Sequence, residues 1–140
     1  MYLAVNSKIR SKGYGGKLLA TCNNYLEQNF DINTILIEVD SVNEQTATDM
    51  EIRVKRQEFY KRHGARKIGG FNYQLPLVGA DYYPVMELQF ISHQSFTELS
   101  KSDLEIWLKA MYKGIYREAP DHPYITSMLK NAPEVLRVQN

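Results

Sequence analysis

The chain has 140 residues, of which 44% are hydrophobic and 24% charged, and its formal net charge is +1. This length fits one domain or part of one, and the small net charge gives no reason to expect a nucleic acid or an acidic membrane as partner. A single cysteine excludes an intrachain disulfide and favours a reducing, cytoplasmic location, and no apolar run approaches the ~18 residues of a membrane span.

The first predicted elements are a strand, a glycine-rich turn and a helix. An apolar run at residues 2–6 predicts the strand, and apolar residues at helical spacing predict a helix from Tyr14 to about Asn29. The connecting stretch reads Arg10-Ser11-Lys12-Gly13-Tyr14-Gly15-Gly16-Lys17. A helix N-terminus offers free N–H groups and partial positive charge, and glycines let an anion approach closely. The stretch therefore indicates a phosphate site, with a tight turn that binds nothing as the alternative.

A second strand is predicted at residues 34–39, an apolar run rich in β-branched residues. Such a run suits a strand covered on both faces, so it is expected to lie parallel to the first strand across the helix, in a right-handed βαβ unit. Glu38 is the one charged residue in the run and should share a face with Leu36. The fold class expected is α/β (α+β), with a mixed sheet.

The rest of the chain predicts one more helix, two strands and a helical C-terminal part. The helix runs from about Asp49 to His63 and ends at Gly64; the strands lie at residues 66–73 and 84–90. Residues 92–140 are predicted as a helical extension, with helices at residues 103–116 and 123–131. The first of these carries an apolar stripe from Leu104 to Ile115, which either packs on the chain's own sheet or forms a dimer contact.

Two motifs together resemble a known family. Arg10, Gly13 and Gly15 form an Arg-x-x-Gly-x-Gly turn after a strand, and Phe59-Tyr60 stands before Gly64 at the end of a helix about 45 residues later. This combination resembles the GNAT family of N-acetyltransferases over about residues 2–91. The family's turn lies about halfway along its domain, so residues 1–91 resemble the C-terminal half of such a domain. Ala65 departs from the usual Phe, and Arg53 and Arg56 replace the usual Asn and Ala.

The resemblance implies acetyl-CoA as co-substrate, with its pyrophosphate on the glycine turn and an acetyl oxygen bound by backbone N–H groups of the preceding strand. Tyr60 would then protonate the leaving thiolate, although its spacing also fits a core aromatic. Glu38 is the candidate base because a carboxylate on an apolar strand can have a raised pKa; pairing with Lys or Arg, or exposure to solvent, remains the alternative. The coenzyme-binding residues expected are Leu3, Ala4, Val5, Arg10, Lys12, Gly13, Tyr14, Gly15, Gly16 and Lys17.

The function expected is transfer of an acetyl group from acetyl-CoA to a primary amine by direct attack, the acceptor being a small molecule or a peptide. The alternative is a non-catalytic acyl-CoA-binding or interaction module. A homodimer is expected because an incomplete sheet exposes an edge. No metal is expected, and His63 is expected to cap its helix. Arg53 and Arg56 either reach coenzyme phosphates or an acidic acceptor, or lie on a solvated helix face.

Overall fold

The computed structural model describes residues 4–44, 48–76, 84–95 and 97–139. Four helices and five strands are formed there, and the strands make one sheet in the order β1-β3-β2-β5-β4. The helices are α1 Tyr14–Phe30, α2 Met50–Arg62, α3 Lys101–Met111 and α4 Pro123–Lys130. The strands are β1 Thr34–Asp40, β2 Arg66–Ile68, β3 Met86–Ser92, β4 Glu98–Ser100 and β5 Val135–Gln139.

The sheet separates two layers of helices. On one face, Leu88 and Phe90 of β3 pack in a core with side chains of α3 and α4; on the other, Ile91 of β3 packs with Leu19 of α1 and with side chains at the end of α2. Successive side chains of a strand point to opposite faces, which is why a single strand serves both cores. The core on the α3 and α4 side is the larger of the two.

The predicted helices are confirmed, because their signals are local. The helix at residues 14–29 is α1, the helix at residues 49–63 is α2, and Gly64 follows α2 with φ +84°, a conformation that favours glycine. The helix at residues 103–116 begins earlier, at Lys101, because the Ser100 hydroxyl accepts the N–H of Asp103. It continues into a π-helical turn, Tyr112–Tyr116.

The mixed sheet predicted from the sequence is wrong for the residues that the structure describes. Every strand pair there is antiparallel, and β1 pairs along its whole length with β3. Residues 4–6 form no strand, and the rest of the predicted first strand, including Leu3, lies outside the described residues. An apolar run indicates burial on both faces, but it does not tell whether the neighbouring strand is parallel or antiparallel.

Residues 92–139 are not only helical. They contribute β4 and β5, and β5 pairs with both β2 and β4. The core on the α3 side contains Ile68 of β2 together with Leu99 and Leu136 of the two later strands. The boundary after residue 91 stays a prediction, but side chains on both sides of it pack in one core.

The apolar stripe of α3 packs on the chain's own sheet. Leu104, Leu108, Met111 and Tyr112 are buried in the same core as Phe90, whereas Ile115 is 52% exposed. A dimer contact built on this stripe is therefore excluded, because its main side chains are already covered. The homodimer itself stays a prediction.

Leu136→Ala tests whether β5 is part of the main core. Leu136 is fully buried, so the substitution is expected to lower the free energy of unfolding by about 2–5 kcal/mol. Ile106→Ala is the control, because the Ile106 side chain is 63% exposed and its loss should cost no more than about 0.5 kcal/mol. Urea denaturation followed by circular dichroism measures both. An equal loss in the free energy of unfolding for the two variants would contradict the packing of β5 in the core.

Candidate functional site

The glycine-rich turn forms the entry to α1. Asn6 caps a short turn of helix, Ser7–Ile9, and the chain then reaches Gly13 with φ +79°, a left-handed conformation that favours glycine. No side chain caps the start of α1 at Gly13. The first backbone N–H groups of a 17-residue helix thus remain available, and they carry the positive end of its dipole.

Basic side chains surround this helix start. Lys8, Arg10, Lys12 and Lys17 are all exposed, and the first turn of α1 contains no acidic residue. Arg10 is oriented by its Nε, which donates to the carbonyl oxygen of Val5 at 3.0 Å. Among the described residues, none of these four side chains forms an ion pair. The turn therefore offers N–H groups and positive charge to an anion.

The two motifs that carry the resemblance lie against each other. A Cβ placed on Gly15 would lie 3.4 Å from the Phe59 ring, and one placed on Gly16 would lie 2.3 Å from Nε2 of His63. Gly16 is therefore required by close packing between the start of α1 and the end of α2. Val5 also reaches the Gly15 position, at 3.5 Å, so the segment before the turn joins the same contact.

His63 is fixed where α2 ends. Its Nδ1 lies 2.7 Å from the carbonyl oxygen of Phe59, and the two rings lie 4.5 Å apart between centroids. This confirms the predicted capping role and explains why the imidazole does not swing away from Gly16. Tyr60 packs edge-on against Phe59 and contacts the smaller core through its ring. No described residue forms a hydrogen bond with the Tyr60 hydroxyl.

Glu38 lies on the opposite face of the sheet from Tyr60. Ile37 packs in the core that Tyr60 contacts, whereas Glu38 stands opposite Leu88 of β3 and faces the α3 side, as its sharing a face with Leu36 predicts. Its Oε1 accepts hydrogen bonds from two phenols, Tyr73 and Tyr116, the latter at 2.7 Å. Both hydroxyls donate to that one oxygen, and none of the described residues donates to Oε2.

The tyrosines around Glu38 form a cluster that the sequence did not reveal as a site. Tyr112 donates to the carbonyl oxygen of Gln74 at 2.6 Å and lies 6.1 Å from the Tyr116 ring, centroid to centroid. Burial raises the pKa of Tyr73, and the negative charge of Glu38 and the hydrogen bond to it raise it further. Burial and the charge of Glu38 also raise the pKa of Tyr112. These phenols therefore stay protonated as donors.

Arg53 does not lie on a solvated helix face, whereas Arg56 does: its side chain is 44% exposed. Arg53 is only 6% exposed, and its guanidinium is held by the carboxylates of Glu44 and Asp49. Burial works against its charge, but these hydrogen bonds outweigh burial and raise the pKa of Arg53. Arg56 pairs with Asp40 at the end of β1. Both arginines thus tie α2 to the end of β1, so a coenzyme or an acceptor would have to compete with these carboxylates for them.

The remaining expected binding residues lie as follows. Ala4 is exposed and Val5 is partly buried, Tyr14 is 50% exposed in the first turn of α1, and Leu3 lies outside the described residues. Within the described ranges, no three His, Cys, Asp or Glu side chains are grouped as metal ligands. None of the described helices has the length and apolar character needed to cross a membrane.

Comparison with known proteins shows which fold the chain resembles. Neither a protein-family model nor a curated protein sequence matches the chain. A solved structure, "Putative acetyltransferase from GNAT family from Bacteroides thetaiotaomicron", matches over 81% of this chain with a TM-score of 0.57 and 23% identity. The fold is α+β and GNAT-like. The match covers 56% of the other chain, so this chain spans little more than half the length of that protein.

Gly16→Ala tests the contact between the two motifs. The new methyl group would overlap the fixed His63 ring, so we expect the free energy of unfolding to fall by about 1–3 kcal/mol. Gly15→Ala is the matched control: its methyl group meets Phe59 at an ordinary distance, and alanine favours a helix, so stability should stay equal or rise by up to about 1 kcal/mol. Thermal and urea denaturation measure the free energy of unfolding of both variants. A neutral effect of Gly16→Ala would mean that His63 is not held against α1.

Proposed function

We propose that the chain binds acetyl-CoA and transfers its acetyl group to a primary amine. The observation that carries the proposal is the contact between the start of α1 and the end of α2. It puts a glycine turn, whose four exposed basic side chains form no ion pair among the described residues, beside the Phe59-Tyr60 segment. The contact supports the proposal because it brings the turn that would bind the pyrophosphate and the helix end that carries Tyr60 to the same side of the sheet. The GNAT-like fold of the matched structure supports the same reading.

The proposed reaction uses these groups as follows. The acceptor amine loses a proton and attacks the acetyl carbonyl carbon, so that an N–C bond forms and the C–S bond of the thioester breaks. The departing thiolate takes a proton from the Tyr60 hydroxyl, and Glu38 receives the proton that the amine loses. Because Tyr60 and Glu38 lie on opposite faces of the sheet, the proposal has coenzyme and amine approach the outer edge of β1 from opposite sides.

Binding of acetyl-CoA tests the coenzyme site. In isothermal titration calorimetry, the double variant Lys12→Glu, Lys17→Glu should bind acetyl-CoA at least about tenfold more weakly than the unaltered chain, since each lost phosphate contact costs ~1 kcal/mol or more. Both lysines are exposed, so the fold should be preserved. The control is Lys113→Glu, Lys130→Glu, which makes the same change in charge on exposed lysines far along the chain.

S-acetylpantetheine, which lacks the pyrophosphate, shows whether the turn binds that group or another part of acetyl-CoA. If the turn binds the pyrophosphate, this compound should bind more weakly than acetyl-CoA and should be indifferent to both double variants. The coenzyme proposal would be refuted by a folded, unaltered chain that shows no heat of binding with acetyl-CoA, or by equal losses of affinity in the two double variants.

A second candidate function is a non-catalytic acyl-CoA-binding module. It is favoured by one observation: the candidate acid Tyr60 and the candidate base Glu38 lie on opposite faces of the sheet. Release of free thiol from acetyl-CoA in the presence of a panel of amines decides between the two. Binding without release would favour the module, whereas amine-dependent release would favour the enzyme.

Tyr60→Phe tests the proposed role of Tyr60 as the general acid that protonates the leaving thiolate. The substitution removes only the hydroxyl and leaves the packing against Phe59, so kcat should fall by about 10²–10⁴-fold while the Kd for acetyl-CoA is unchanged. Tyr25→Phe is the control, because Tyr25 is 57% exposed on the outside of α1. A turnover rate in Tyr60→Phe equal to that of the control would remove Tyr60 from the reaction.

A further inference from the structure

Glu38 forms no ion pair with any lysine, arginine or histidine side chain, all of which lie among the described residues. The buried carboxylates elsewhere have cationic partners: Glu44 is paired with Arg53, and Glu87 with Lys67 at 2.9 Å. All 17 lysines and arginines and all three histidines belong to the residues that the structure describes, and none of them forms an ion pair with Glu38. A partly buried charge without a partner is costly, and this cost points to a cationic ligand.

Aromatic side chains surround this carboxylate. Tyr73 is 7% exposed and Tyr116 is partly buried; both donate to Oε1, so their hydroxyl groups meet at that oxygen. The Tyr112 ring lies next to them. Tyrosine rings attract a cation through the negative charge of their faces, and a carboxylate attracts it directly. The constellation thus offers one free carboxylate oxygen beside aromatic rings that are held in place.

We propose that Glu38, Tyr73 and Tyr116 bind the ammonium group of an aliphatic amine. The three residues belong to β1, to the loop after β2 and to the π-helical turn after α3, and they converge on Oε1 of Glu38. In naming this amine as the acceptor, the proposal rests on the proposed function; the ammonium site itself does not depend on it. The acceptors selected are alkylamines that are charged near neutral pH, and uncharged arylamines are disfavoured.

The geometry distinguishes ammonium from other cations. A guanidinium prefers two parallel hydrogen bonds to both oxygens of a carboxylate, but Oε1 of Glu38 already accepts from two phenols. An ammonium is a compact charge and needs only Oε2. A divalent metal ion prefers several anionic or imidazole ligands, and the described residues contain no group of three such ligands.

The experiment titrates n-butylammonium into the unaltered chain and follows the aromatic resonances of the tyrosines by NMR. We expect saturable shifts at Tyr73 and Tyr116, no saturable shifts with n-butanol, and weaker binding of n-butylguanidinium. Glu38→Gln keeps the shape and removes the charge, so affinity should fall at least about tenfold. Glu51→Gln is the control, because Glu51 is 82% exposed and already paired with Lys55.

Several outcomes would overturn the site: no saturable shift with n-butylammonium, equal shifts with n-butanol, or unchanged affinity in Glu38→Gln. If Glu38→Gln does not fold, the comparison of butylammonium, butanol and butylguanidinium on the unaltered chain still decides whether the site prefers an ammonium group. Titration of acetyl-CoA in the same samples keeps the two proposals apart. Coenzyme binding without ammonium binding refutes this site alone, and the reverse result refutes the coenzyme proposal alone.

Discussion

The alternation of side chains along β1 is the constraint on which the rest of the structure depends. β1 pairs with β3 over its whole length, so each position of β1 is committed to one face of the sheet. Ile37 is thereby assigned to the core beneath α1 and α2, and Glu38 to the side of α3 and α4. A shift of the register by one residue would place the carboxylate under the Phe59-Tyr60 segment and turn Ile37 towards the α3 side, where the phenols now surround Glu38. The apolar contacts of both cores therefore fix where the charge lies.

This division gives the molecule two chemically different sides. On one side, the start of α1 packs on the end of α2 through glycines, and the positive charge of the turn faces outward. On the other, phenols drawn from distant parts of the chain converge on one carboxylate oxygen. The outer edge of β1 lies between them, and no strand among the described residues pairs with it. The proposed anionic coenzyme and the proposed cationic amine would each meet the side of opposite charge.

The sequence predicted well what depends on neighbouring residues. Helix periodicity and the glycine after α2 depend on positions three to four residues apart, which the sequence displays directly. The partner of β1 and the strand β5 depend on residues far along the chain, and an apolar run gives no information about them. The neighbours of Glu38 illustrate this limit: Tyr73 and Tyr116 are 35 and 78 residues away. Tyrosine is common in this chain, so no local pattern marks these two.

Arg53 also shows that a sequence does not display the contacts that a side chain makes, here for a residue whose predicted role was not found. In the sequence it was a candidate for binding phosphate, because it replaces the usual Asn upstream of Tyr60 in the family that the chain resembles. In the structure two carboxylates surround it, so its charge serves the packing of α2 against the end of β1. The charges that the two proposals use are different ones: the exposed basic residues of the turn, which form no ion pair among the described residues, and, on the other face, Glu38. Glu38 is partly buried and has no cationic partner among the described residues, and such a charge lowers stability unless a ligand pairs with it. The turn and Glu38 thus lie on opposite sides of the sheet and carry opposite charge, which is the arrangement that the proposed coenzyme and the proposed amine require.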